Sequence, residues 1–203
     1  MKNLFLIVSI FLIFSCEKKE NAIVENEQII NFKEPKVSLT KNEITIQSFK
    51  EFRQAVYQND LKKVKEFINF PVKSGEIWYL IDENQENNSE KLFTEKDFDK
   101  YHSKIFTKEF INGLLKVKSD SIINKDEYFT NKLGDKKFYY RIGVFNEKDK
   151  EEGSHIIFDF IKNKEFDSEM DEGEKVMEET VIKYDFEILK NGKIKFKAIY
   201  LAG

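Results

Sequence analysis

The stretch Ile182-Lys183-Tyr184-Asp185-Phe186-Glu187-Ile188-Leu189-Lys190-Asn191-Gly192-Lys193-Ile194-Lys195-Phe196-Lys197-Ala198-Ile199-Tyr200 decides how this chain folds. Apolar residues alternate with charged ones on both sides of Asn191-Gly192, as in two paired strands with one buried face. A two-residue turn at Asn191-Gly192 would set Phe186 against Lys197 and Ile188 against Lys195, mixing apolar and charged side chains on each face. A three-residue loop, Lys190-Asn191-Gly192, with the glycine in the left-handed position, shifts the pairing by one. Ile188 then meets Ile194, Phe186 meets Phe196, Tyr184 meets Ala198 and Ile182 meets Tyr200 on one side. On the other side Glu187 meets Lys195 and Asp185 meets Lys197, opposite charges placed to attract. The expectation is a solvated face carrying Asp185 and Glu187. The face of Tyr184 and Tyr200 should look toward the helices, so that any ligand pocket lies between sheet and helices.

The same period of two runs through residues 137–145 and 154–161, so the hairpin closes an antiparallel meander. Upstream the period is helical. Ser48 and Glu51 fit a capping box that opens a helix carrying Phe49, Phe52 and Val56 to about Gln58. Asp60 caps a short second helix with Leu61, Val64, Phe67 and Ile68, which ends near Phe70 because Pro71 disfavours helical geometry before it. A strand is expected over 76–81. Thr94 and Thr107 each cap a further helix, with Phe93 and Phe98, then Phe106 and Ile111, placed as hydrophobic staples. Helices followed by a meander predict an α+β fold, with the N-terminal helices packed on one face of a curved, cone-like antiparallel sheet.

That order resembles the cone-shaped fold of the nuclear transport factor 2-like and cystatin-like superfamily. The segment Phe52-Arg53-Gln54-Ala55-Val56 with Asp60, Val64, Phe70-Pro71, Phe93, Phe98, Tyr101 and Ile105-Phe106-Thr107 also looks like a motif set of small exported bacterial proteins of that shape. The resemblance implies a fold and no single function, because such folds host enzymes, binding modules and immunity proteins. The ketosteroid isomerase type within it uses a tyrosine and two acids pointing into the cone, and no motif here matches those residues.

At the start of the chain, Lys2 precedes the eleven-residue run Leu4 to Phe14, followed by Ser15-Cys16. This is the layout of an export signal, and at about 1.5 Å per residue the run is too short to span a hydrocarbon core of about 30 Å. Ile13, Ser15 and Cys16 resemble the lipobox of bacterial lipoproteins, which implies cleavage before Cys16 and acylation of that residue. The expected organisation is a signal peptide over 1–15, a lipidated flexible tether over 16–42 and one α+β domain over 43–203. The alternative for the tether is that Ile29-Ile30-Asn31-Phe32 docks on the domain as an edge strand. The lipid bilayer is then a partner through the Cys16 acyl chains. The location is the cell envelope, with the outer membrane favoured by the long charged tether. Cys16 is the only cysteine, so no disulfide can form within the chain.

With 34 basic and 37 acidic residues, the net charge of −3 gives no electrostatic case for nucleic acid. Asp167, Glu169, Asp171 and Glu178 approximate a calcium loop, but glycine falls at the seventh position rather than the sixth and the flanks read as strands. A solvated acidic hairpin loop is expected there, with no metal and no cofactor. His155 and Asp159 alternate onto the face opposite Ile156, Phe158 and Phe160, and are expected to lie outside. His102, beside Tyr101, reads as a half-buried packing residue or a pocket-lining one. The remaining functional hint is aromatic: Trp78, Tyr101, Tyr140, Tyr184 and Tyr200 are candidates for lining a pocket. The leading expectation is a non-enzymatic binding or interaction domain for a protein or small molecule. The alternatives are a cone-fold enzyme acting on a small apolar molecule, which needs an acid beside a tyrosine inside the cone, and an immunity-type inhibitor of a toxin.

Overall fold

Thr40 opens the first helix, α1 (Lys41–Tyr57): its hydroxyl accepts the Glu43 amide and the Glu43 carboxylate accepts the Thr40 amide, a complete capping box. The expected start at Ser48 is therefore corrected. The pattern Ser48-x-x-Glu51 repeats the pattern Thr40-x-x-Glu43 two turns later, but Ser48 is buried and its hydroxyl accepts the Ile194 amide at 3.1 Å. Lys41 and Asn42, expected in the tether, form the first turn of this helix. In the computed structural model the described residues are 38–73, 76–82, 91–149, 153–167 and 175–202. The export signal, Cys16 and the tether as far as Val37, including Ile29 to Phe32, lie outside them.

The cap reading holds for the next helices. Asp60 accepts the Lys63 amide at the start of α2 (Leu61–Lys65). Thr94 forms a capping box with Asp97 at the head of α4 (Glu95–Ile105), and Thr107 accepts the Phe110 amide at the head of α5 (Lys108–Leu114). Between α2 and α4 the expected strand is instead a short helix, α3 (Glu76–Ile81). A run such as Ile77-Trp78-Tyr79-Leu80-Ile81 is too short for periodicity to separate a buried helix turn from a strand. Its Glu76 carboxylate accepts the Leu201 amide at 2.6 Å and so ties α3 to the last strand. A four-residue helix, α6 (Ser121–Asn124), leads into the sheet.

The sheet comprises β1 (Glu127–Phe129), β2 (Leu133–Gly134), β3 (Phe138–Asp149), β4 (Gly153–Asp167), β5 (Lys175–Ile188) and β6 (Ile194–Ala202). The strands run antiparallel in the order β1-β3-β4-β5-β6, with β2 also paired to β3, and the curved sheet does not close. The fold is α+β, with one face of the meander buried against the helices. On that face Ile142 and Val144, then Ile156, Phe158 and Phe160, then Ile182, Tyr184 and Phe186 are nearly or wholly covered. Helix aromatics meet them ring to ring: Phe49 stacks on Phe158 at 5.4 Å, Phe52 sits edge-on to Phe186 at 4.9 Å, and Phe110 stacks on Tyr184 at 3.9 Å.

The decisive hairpin has the expected three-residue loop. Gly192 takes φ +83, and its amide bonds to the Leu189 carbonyl. Ile188 faces Ile194, Phe186 faces Phe196 and Glu187 faces Lys195. Beyond that rung the register slips: Lys197 is left without an opposite residue, Asp185 meets Ala198, Tyr184 meets Ile199, Lys183 meets Tyr200 and Ile182 meets Leu201. The expected pairings of Asp185 with Lys197, Tyr184 with Ala198 and Ile182 with Tyr200 are corrected by this bulge. Both phases of the strand offer apolar residues, Ala198 and Tyr200 in one and Ile199 and Leu201 in the other, so alternation alone does not choose between them.

Candidate functional site

Tyr184 faces the helices, as expected, and it closes the space there rather than lining it. The side chain is fully buried, its hydroxyl donates to the Ile105 carbonyl at 2.7 Å, and burial pushes its phenol well above the usual range. Its ring stacks on Phe110 at 3.9 Å and lies near-parallel to Phe106 at 6.1 Å. A tyrosine so committed cannot donate to a substrate without losing its bond to α4. The interior of the sheet and helix sandwich is packed with aromatic rings at this point.

The other expected lining residues are scattered. Trp78 is buried on α3, donates from Nε1 to the Lys91 carbonyl at 2.8 Å and meets Tyr101, which is half-buried on α4. Tyr140, on β3, is half-buried against Phe160. Tyr200 is a correction: the bulge turns it outward opposite Lys183, where it is 44% exposed.

Several clefts open elsewhere on the described surface, and none of the five aromatics lines either of the two that border α4. The first, about 490 Å³, lies between the turn joining α1 to α2 and the bend joining α4 to α5. Val56, Leu61, Val64, Phe98, Phe106 and Ile111 give it an apolar floor. Asn59, held in the left-handed region at φ 54, turns the chain from α1 into α2 at its edge. His102, Ser103, Lys108 and Asn112 supply polar atoms. The second, about 690 Å³, is the expected kind of space between helices and sheet, at the end where β4 and β5 extend. Its walls carry charges of both signs, Lys104 and Lys162 with Glu178 and Glu179. Such a wall is well hydrated, so the smaller apolar cleft is the better small-molecule site. His102 is the one residue singled out in the sequence that belongs to it; the apolar floor reads in the sequence as ordinary helix core.

The outward face of the sheet also differs from the expectation. His155, Asp159 and Asp185 are all buried, and His155 Nδ1 lies 2.7 Å from Asp185 Oδ1. His155 and Asp159 sit four residues apart on one strand, about 13 Å at the usual rise, so they do not pair with each other. The partner is diagonal: Glu187 stands opposite His155 and Asp185 is two residues further along β5. Asp159 instead accepts from Lys183 at 3.1 Å, its opposite residue. All three lie where β4 is a central strand, paired with β3 as far as Lys164 and with β5 as far as Asp167. This dyad orients an imidazole, but it is also what a cross-strand brace looks like.

Of the near-calcium loop, Glu169 and Asp171 lie outside the described residues. Asp167 and Glu178 fall on β4 and β5, opposite Lys175 and Lys164 in the ladder, so the end of the would-be loop is already strand. Among the described residues no group of three or more His, Cys, Asp or Glu could hold a metal ion, and no helix is long and apolar enough to cross a membrane.

Comparison with known proteins adds little to these observations. No family model and no curated protein matches the chain. Among solved structures, a protein from Shewanella frigidimarina described as a candidate ketosteroid isomerase aligns with 80% of this chain and 97% of its own, at 10% identity and a TM-score of 0.34. A likeness at that level carries no argument about activity.

Proposed function

We propose that the chain is an exported, membrane-tethered binding protein whose domain takes an apolar ligand in the cleft between the α1–α2 turn and the α4–α5 bend. The apolar floor of that cleft carries the reading: Val56, Leu61, Val64, Phe98, Phe106 and Ile111 line a space of about 490 Å³, within the range of about 300 to 1,000 Å³ common for small-molecule sites. Against the enzyme reading stands the Tyr184 hydroxyl, which is bound to the Ile105 carbonyl rather than to an acid.

Nile red, a neutral dye that brightens in apolar surroundings, is expected to bind at one site. Ser103 is exposed on the rim, so Ser103→Trp should fill the entrance without disturbing the core and abolish that signal. Dye binding unchanged in Ser103→Trp would place the ligand elsewhere.

The tether half of the proposal rests on the Ile13, Ser15 and Cys16 pattern. Wild-type protein is expected in the membrane fraction and Cys16→Ala in the soluble one, because a peptide without acyl chains loses about 0.8 kcal/mol per buried methylene of anchoring. Equal fractionation of the two proteins would sink the anchor.

A further inference from the structure

Lys108 is the one lysine, and there is no arginine or carboxylate, among the side chains lining the apolar cleft. We propose that its ligand is an amphiphilic carboxylate, with an apolar body seated on Tyr57, Leu61 and Ile111 and a single anionic head held by Lys108 and the His102 ring. This rests on the reading of the cleft as a binding site and specifies its occupant.

Three observations carry it. Acidic residues outnumber basic ones in the chain, 37 to 34, yet none of the residues lining the cleft is Asp or Glu. Asp60 lies between the lining residues Asn59 and Leu61, but its carboxylate is engaged in capping α2 through the Lys63 amide at 3.0 Å. An anion entering the cleft therefore meets no carboxylate in its wall, whereas a cation finds no counter-charge there.

Lys108 is the second observation. It is exposed at the cleft and has no ion-pair partner among the described residues, whereas Lys63 is paired with Glu66 and Lys65 with Glu95 and Asp99. Its ammonium is free to meet a ligand head. A single lysine matches a single negative charge, which favours a carboxylate over a phosphate monoester carrying about two.

The third is His102. Its Nδ1 is covered and has no hydrogen-bond partner, while the ring lies against Phe98 at 5.9 Å. A covered ring nitrogen tolerates a bare lone pair better than an unmet N–H, so the proton belongs on Nε2 and that nitrogen is the ring's available donor. A carboxylate has two oxygens, one for Lys108 and one for this donor, in charge-assisted hydrogen bonds.

The test is displacement of Nile red from the full chain by decanoate, decanol and decylamine, all below micelle-forming concentrations. Decanoate should displace the dye at a concentration about tenfold lower than decanol, the difference expected of the Lys108 contact, since the decanol hydroxyl can also accept from the His102 donor, with decylamine the weakest. Lys108→Glu, and more mildly Lys108→Met, should remove that advantage and leave decanol unchanged; Lys108 is exposed, so both variants should fold. Decanol or decylamine matching decanoate, or an advantage that survives in Lys108→Glu, overturns the carboxylate assignment while dye binding leaves the site standing. If Nile red does not bind the wild-type protein at all, the site itself is wrong.

Discussion

Asp185→Ala is expected to lower folding stability by about 3 to 5 kcal/mol, because it strips His155 of a buried carboxylate partner. Asp185 is 5% exposed, His155 is 6% exposed, and the two atoms in contact are 2.7 Å apart. Were Asp185 on a solvated face, as the alternation of β5 suggests, the same change would stay within about 0.5 kcal/mol. Urea unfolding separates these outcomes: the midpoint should fall sharply at constant slope. A loss under about 1 kcal/mol would remove the brace from the account. Replacing His155 and Asp185 together by apolar residues of similar volume should recover much of the loss, since much of the penalty comes from keeping His155 buried without its carboxylate rather than from losing a strong attraction. If the dyad serves chemistry instead, the double variant would be stable and inactive in whatever assay the ligand eventually defines.

Phe110→Ala is expected to be comparably damaging, at about 3 to 5 kcal/mol for a large ring removed from a packed core. Phe110 is wholly buried on α5 and holds three neighbours at once: Tyr184 at 3.9 Å, Phe160 at 5.8 Å and Phe106 at 6.0 Å. Its loss would leave a void beside the Tyr184 ring, whose hydroxyl is tethered to the Ile105 carbonyl, so the site can collapse only by giving up that bond. For a domain of this length the melting temperature should drop by about 6 to 20 °C. A shift of only a degree or two would mean that the helices and sheet are not joined through this stack.

Much of the fold was legible because its signals are local. Asp60, Thr94 and Thr107 each place a side-chain oxygen where the first helical amides need an acceptor, and that requirement is written in three or four consecutive residues. The β5–β6 turn was legible for the same reason, since Gly192 and the flanking alternation fix the loop length and the rungs from Ile188 to Phe186, though not the register beyond the bulge. What failed depended on the rest of the molecule. Ser48 carries a cap pattern, yet its hydroxyl meets the amide of Ile194, far along the chain. The His155 and Asp185 dyad depends on how β4 and β5 are aligned, and nothing as local as Asn191-Gly192 stands between the two strands in the sequence to set it. The cleft floor draws Val56 from α1, Val64 from α2, and Phe98 and Phe106 from α4 and its C-cap, and each looks like plain core in its own helical period.

The bulge at Lys197 bears on how this chain can change through descent. Phe196 points inward before it and Ile199 and Leu201 point inward after it, so Lys197 is the position in β6 at which the ladder takes up an extra residue. Losing that codon would straighten the strand and bring Phe196, Ile199 and Leu201 into unbroken alternation, with each still facing the partner it faces now. Losing Phe196 instead would put Lys197 opposite Phe186 on the buried face, and losing Ile194 would turn Phe196 onto the outer face. Length variation among descendants of this sequence should therefore collect at Lys197 and be purged a few residues to either side.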